Sequence, residues 1–165
     1  TVLPGETVVL TLHKPQGTLA AKQEALTDTV IYDAKDQKTS VAQVLARGEK
    51  AVLCYLGTAQ EPTEHLLNEM VQMSEHFASM DAALLFILQK EEETSDPTLT
   101  KAVKALGQKA ELFFTKAPFD LAADYQAFEI QDARLPLAIV AKDGKGCYAW
   151  AGYQVGIGDM ILKCL

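Results

Sequence analysis

The chain has 165 residues, 48% of them hydrophobic and 22% charged, a balance that suits one globular domain with its own core and excludes disordered and fibrous classes. Its net charge of −7, from 15 basic and 22 acidic residues, argues against a nucleic-acid partner, because proteins that grip a phosphate backbone carry a basic face. No apolar run approaches the roughly 20 residues that a membrane helix needs, so no membrane span is expected in this chain.

Residues 1–14 read as a strand around the apolar run Val8-Val9-Leu10-Thr11-Leu12, Pro15-Gln16-Gly17 as a turn, and residues 18–28 as a polar connection. This opening looks like the end of a β-rich module. Residues 1–28 are therefore expected to be an N-terminal strand and connection, in a chain cut from a longer protein, and residues 29–165 the domain proper. Residues 29–33 form a short strand, with Asp36-Gln37-Lys38 as the turn after it. Ser40 is placed to cap a short helix, with Gln43 answering three residues on and Gly48 ending it. Residues 51–56 are a short apolar strand. Leu66, Met70, Met73 and Phe77 then recur at helical spacing, the stripe of one long helix laid on a sheet. Residues 82–88 are continuously apolar, as expected of a central parallel strand covered on both faces.

Farther on, Glu91-Glu92-Glu93-Thr94-Ser95 is a solvated loop. Asp96 is an N-cap with Pro97 at the first helical position, and Gly107 closes that helix. Residues 111–114 form a strand and residues 119–127 a short helix. Leu135-Pro136 leads an apolar strand that closes on the Asp143-Gly144 turn, and Cys147-Tyr148-Ala149-Trp150-Ala151-Gly152 returns beside it as a hairpin with Tyr148 and Trp150 on one face. Gly156-Ile157-Gly158-Asp159 starts a closing helix on which Ile157, Met160, Ile161 and Cys164 share a stripe. Strands alternating with helices and ending in a hairpin and a helix imply an α/β sheet, parallel in its centre and antiparallel at one edge.

A strand running into a helix start, then a proline-led strand, an Asp-Gly turn, a returning strand and Gly152-Tyr153 resemble, in that order, thioredoxin-like domains. The nearest likeness is to the thiol-disulfide oxidoreductases that bacteria keep outside the cytoplasm. The resemblance covers residues 29–165. It implies a thioredoxin-like α/β fold, with a central mixed sheet flanked by helices and an N-terminal β extension, and an extracytoplasmic location. Such domains carry Cys-x-x-Cys at the helix start, where the helix amides favour thiolate. This chain has Gln60-Glu61-Pro62-Thr63 there, and none of its three cysteines, Cys54, Cys147 and Cys164, lies two residues from another. Their odd number leaves the redox compartment open. A further likeness lies in Glu61-Pro62-Thr63-Glu64-His65 and Gly152-Tyr153-Gln154-Val155-Gly156-Ile157-Gly158. These resemble the cysteine-free thioredoxin-like segment at the C-terminal end of bacterial transglutaminase-like proteins. That implies the rest of a parent polypeptide as partner.

By the same resemblance the Leu135-Pro136 bond is cis and faces the helix start, with Leu135 presenting its backbone to an extended peptide or protein. The expected binding groove, stripped of its chemistry, comprises Gln60, Glu61, Pro62, Thr63, His65, Leu135 and Pro136. No catalytic residue and no cofactor is assigned. Glu61, His65 and Glu69 lie four apart on one helix face, but no cysteine or second histidine completes a zinc set. The acids of that first turn instead offset the positive end of the helix. Cys54 and Cys164 are expected in the core as small apolar residues. The leading reading is a catalytically silent accessory or binding domain of a larger, transglutaminase-like bacterial protein. Its rival is a thiol-dependent oxidoreductase or peroxidase using Cys54 or another single cysteine, which would need a reactive thiol in the folded state.

Overall fold

The computed structural model describes residues 22–57, 61–89 and 97–165. The expected strand over residues 1–14, the turn at Pro15-Gln16-Gly17, Gln60, the loop at residues 91–95 and the Asp96 cap lie outside the described residues. In chain order the elements are β1 (Glu24–Ala25), β2 (Val30–Tyr32), β3 (Lys38–Ser40), α1 (Val41–Leu45), β4 (Lys50–Tyr55), α2 (Glu61–Gln72), α3 (Ser74–Ser79) and β5 (Ala83–Gln89). These are followed by α4 (Pro97–Leu106), β6 (Ala110–Thr115), α5 (Ala122–Ala127), β7 (Leu137–Lys142), β8 (Lys145–Ala151) and α6 (Ile157–Cys164).

The strands form one mixed sheet in the order β1-β8-β7-β4-β5-β6-β2-β3. Its centre is parallel, with Val52 opposite Leu84 and Leu84 opposite Ala110. The antiparallel edge expected on one side is present as β7, β8 and β1. A second antiparallel edge, unexpected, lies on the other side, where β2 and β3 form a hairpin that docks on β6 through Tyr32 and Phe114. Residues 38–40, of which Lys38 was expected in a turn and Ser40 as a helix cap, are the outer strand of that hairpin, and Glu24–Ala25, expected as connection, pairs with β8. Both strands are too short and too polar to announce themselves by alternation.

Strand alternation divides the core into two layers. Val52, Cys54 and Leu56, with Leu84, Phe86, Leu88, Ala138, Val140 and Trp150, face α2, α3, α4 and α6. Their neighbours Ala51, Leu53 and Tyr55, with Leu85, Ile87, Ile139 and Ala149, face α1 and the segment around α5. A strand buried on both faces must be apolar at every position, which is why β4 and β5 show runs without alternation.

Local signals explain three helix ends, whereas α1 ends with its cap at Ala46, before the Gly48 expected to end it. The Ser40 side chain accepts from the Gln43 backbone N–H at 3.3 Å, and α4 begins at Pro97. Gly107, at φ +72°, takes the left-handed turn that ends α4, a conformation glycine adopts without steric cost. The single long helix expected through Phe77 is instead two helices. Met73 leaves the helical region at φ −107°, ψ 21°, and α3 starts after it. Its sulfur packs against α6, at 3.1 Å from where a Cβ on Gly158 would stand. The stripe of apolar residues survives the break because Phe77 still reaches the same core layer.

Candidate functional site

Tyr55 lies opposite Leu137 in the ladder between β4 and β7, so Pro136 is brought beside the end of β4, where the chain turns toward α2. The Leu135-Pro136 peptide is cis, as expected. Pro136 is buried and its carbonyl accepts the Gly152 N–H at 2.8 Å, which ties it to the end of β8. Leu135 is half-buried. The Tyr125 hydroxyl donates to the carbonyl of the preceding Arg134 at 2.6 Å and holds that loop in place. Beside Leu135 lies a small cavity of about 220 Å³ walled by Phe119, Leu121, Tyr125, Ala133 and Arg134.

On α2, Glu61 and Pro62 are exposed in the first turn, whereas Thr63 is only 1% exposed. The Thr63 hydroxyl accepts the Gly57 backbone N–H at 3.3 Å, which ties the first turn of α2 to the residue after Leu56. Thr63 is thus a buried structural hydroxyl. His65 is exposed on the outer face. Its Nε2 lies 3.2 Å from Glu61 Oε1, and its ring sits 5.0 Å from that of Tyr153.

Glu69, one turn on, has a role that its spacing from Glu61 and His65 did not suggest. Its carboxylate turns toward the start of α6 and accepts from the Tyr153 hydroxyl, from Gly156 N at 3.1 Å and from Gly158 N at 2.9 Å. Amides at a helix start lack partners within the helix, and a carboxylate satisfies them while opposing the positive end of the dipole. Gly156, at φ +87°, and Gly158, where a Cβ would press on Met73 and Glu69, allow the close approach. The hydrogen bond to Glu69 first, and partial burial second, push the Tyr153 phenol up to about 12. The signal for this clamp in the sequence is Gly156-Ile157-Gly158, two glycines at a helix start. Its partner on α2 is chosen by packing.

The cysteines are dispersed. Cys54 is fully buried under α2, and burial pushes its thiol up to about 12. Cys164, expected in the core, is instead half-buried at the end of α6 and packs against the core margin. Burial raises its pKa, and the nearby Lys142 ammonium opposes that shift. Cys147 sits where the ladder between β7 and β8 is irregular, between Ala141 opposite Gly146 and Val140 opposite Tyr148. All three are free thiols. Tyr148 and Trp150 share a face as expected, with ring centroids 6.3 Å apart and planes at 15°.

One buried acid escaped the sequence reading. Asp124 on α5 is 2% exposed; one carboxylate oxygen accepts the Thr27 N–H at 2.9 Å, and the other has no hydrogen-bond partner. Burial raises its pKa, and the Thr27 contact works in the opposite direction. No helix among the described residues is long and apolar enough to cross a membrane.

No protein-family model matches the chain, and no curated protein does. Solved structures do. An uncharacterized thioredoxin-like protein from Porphyromonas gingivalis is 12% identical, with a TM-score of 0.58 over 87% of this chain and 91% of that one. BsSco, a member of the Sco family of cytochrome c oxidase assembly proteins, is also 12% identical, with a TM-score of 0.57 over 87% and 92%. A putative thiol:disulfide interchange protein DsbE from Chlorobium tepidum is 10% identical, with a TM-score of 0.55 over 86% and 96%. With the sheet order, the two covered faces and the cis proline beside the end of β4, these likenesses identify the fold of this chain as thioredoxin-like.

Proposed function

We propose that this chain is a redox-silent thioredoxin-like domain that binds an extended segment of polypeptide rather than exchanging disulfides, as an accessory module of a larger extracytoplasmic protein. The observation that carries the reading is the placement of the thiols. The chain has no Cys-x-x-Cys, and Cys54, the thiol nearest in sequence to the start of α2, is fully buried with its pKa pushed up to about 12. A thiol needs access and thiolate character to act as a nucleophile. The Thr63 hydroxyl, where the second cysteine of a redox pair would stand, is committed to the Gly57 amide.

The binding half of the reading rests on Leu135 and Pro136. Leu135 is half-buried beside a shallow pocket of about 220 Å³. An extended segment pairing with the Leu135 backbone would set one side chain into that cavity and pass Glu61, Pro62 and His65. The parent protein is transglutaminase-like, a placement supported by the resemblance of residues 61–65 and 152–158, and residues 1–28 continue from its preceding β-rich module.

The test has two parts. A thiol reagent should modify Cys54 slowly in the folded protein and quickly in denaturant, and the native chain should not reduce disulfides. Fast native modification of Cys54, or disulfide-reductase activity, would transfer the lead to a single-cysteine oxidoreductase or peroxidase. For binding, the chain should be titrated with an extended peptide bearing one leucine or phenylalanine, and Leu121→Arg should abolish the response. An undiminished response in that variant would remove Leu135 and its cavity from the proposal.

A further inference from the structure

At the opposite end of β4 from Leu135, the sheet carries a row of lysines. Lys50 at the start of β4 lies directly opposite Lys142 on β7, and Lys142 lies directly opposite Lys145 on β8. Residues opposite one another in a ladder project from the same face, with Cβ atoms roughly 4.5–5.5 Å apart, and like charges so placed destabilise the pairing. The three ammonium groups therefore stand in a line across three adjacent strands, in a chain whose net charge is −7. Among the described residues none of the three forms an ion pair, although other lysines and arginines do so with Glu129, Glu111, Asp36, Asp132 and Asp159.

Lys142 and Lys145 open onto a groove of about 580 Å³, to which Lys22, Gln23 and Tyr148 also contribute. Lys22 is already neutralised by Glu129 at 2.8 Å and donates to the Ala127 carbonyl, while Asp143 is the single acid in the lining. A single carboxylate could satisfy one ammonium group. A multivalent oxyanion could bridge two or three, and lysine is a common point-charge partner of phosphate.

We propose that this groove is a site for a phosphate-bearing ligand, held by Lys142 and Lys145. The site is remote from Leu135 and stands or falls without the peptide-binding reading.

Calorimetric titration of the whole chain with inorganic pyrophosphate, at about 20 mM salt where screening is weak, should give one-site binding that weakens as salt is added. Lys142→Gln and Lys145→Gln should each weaken it by about tenfold. Lys101→Gln, exposed on α4, should leave it unchanged. The unliganded Lys145→Gln protein should melt no lower than wild type, because the substitution removes a like-charge neighbour, so lost binding would not reflect lost folding. Co-sedimentation with phosphatidylglycerol vesicles separates the sources of the phosphate. Binding of vesicles without pyrophosphate would mark a lipid headgroup, and binding of pyrophosphate a free phosphate ligand. Binding of neither, or an equal loss with Lys101→Gln, would overturn the proposal.

Discussion

On the face of the sheet covered by α2, α3, α4 and α6, the carboxylate of Glu69 is half-buried and receives three hydrogen bonds, two of them from the amides that open α6. On the face covered by α1 and α5, the carboxylate of Asp124 is buried, receives one hydrogen bond and leaves an oxygen unpartnered. The same functional group thus acts in opposite ways. Glu69 sits among donors and ties one helix to another. Asp124 is placed where charge is costly, because an unpaired carboxylate loses hydration that the interior does not replace. The lesson is that the helix-rich face is stabilised by packing and a satisfied clamp, whereas the thinner face couples stability to pH.

The largest expected effect lies in the packing of the first face. Phe86, fully buried between the sheet and its helices, should cost about 3–5 kcal/mol when replaced by alanine, measured as a fall in the urea midpoint with an unchanged slope. A cost below about 1 kcal/mol would mean that this core layer repacks easily. Next is the clamp. Glu69→Ala should cost about 2–3 kcal/mol, since it strips the shared acceptor from Tyr153, Gly156 and Gly158, and amide exchange at the start of α6 should accelerate. Exchange that remains slow there would show that the amides have other acceptors. Tyr153→Phe removes one donor from the same carboxylate and should cost about 1 kcal/mol, leaving exchange at Gly158 nearly unchanged.

The least expected effect in size is the most distinctive in sign, and it lies on the other face. Burial holds the Asp124 pKa above its unfolded value, so folding takes up a proton in the interval between the two. Stability therefore declines as pH rises from about 4, the unfolded aspartate range, through the folded pKa, and the deficit is fully present above it. Asp124→Asn keeps an acceptor for Thr27 and cannot ionise. It should be more stable than wild type near neutrality, with the gain vanishing on acidification below that interval. Denaturation midpoints at several pH values would test this, and a gain independent of pH would reverse the assignment of Asp124 as the titrating group.

The elements that could be read from the chain are those whose signals are local. Ser40 with Gln43, Pro97 at a helix start and Gly107 at a helix end each act through the backbone of their own neighbourhood, and all three behave as read. The fold class also followed from residue order, because a cis proline, a strand and an Asp-Gly hairpin are consecutive. The site was legible only in outline. The pairing of Tyr55 with Leu137 brings Pro136 to the end of β4, but the burial of Thr63, the clamp formed by Glu69 and the orphan oxygen of Asp124 depend on contacts between distant parts of the chain.

By itself the sequence determined which strands are buried on both faces, where the hairpin turns and that no cysteine pair is available, since continuous apolar runs, turn residues and cysteine spacing are properties of the chain. Tertiary structure alone decided that β2 and β3 form a second antiparallel edge, that α2 and α3 break at Met73, whose sulfur packs by Gly158, and that Lys50, Lys142 and Lys145 stand in one row. The physical reason is common to all three. Strand register and helix contact bring together residues far apart in the chain, and neither periodicity nor local capping carries information about such partners.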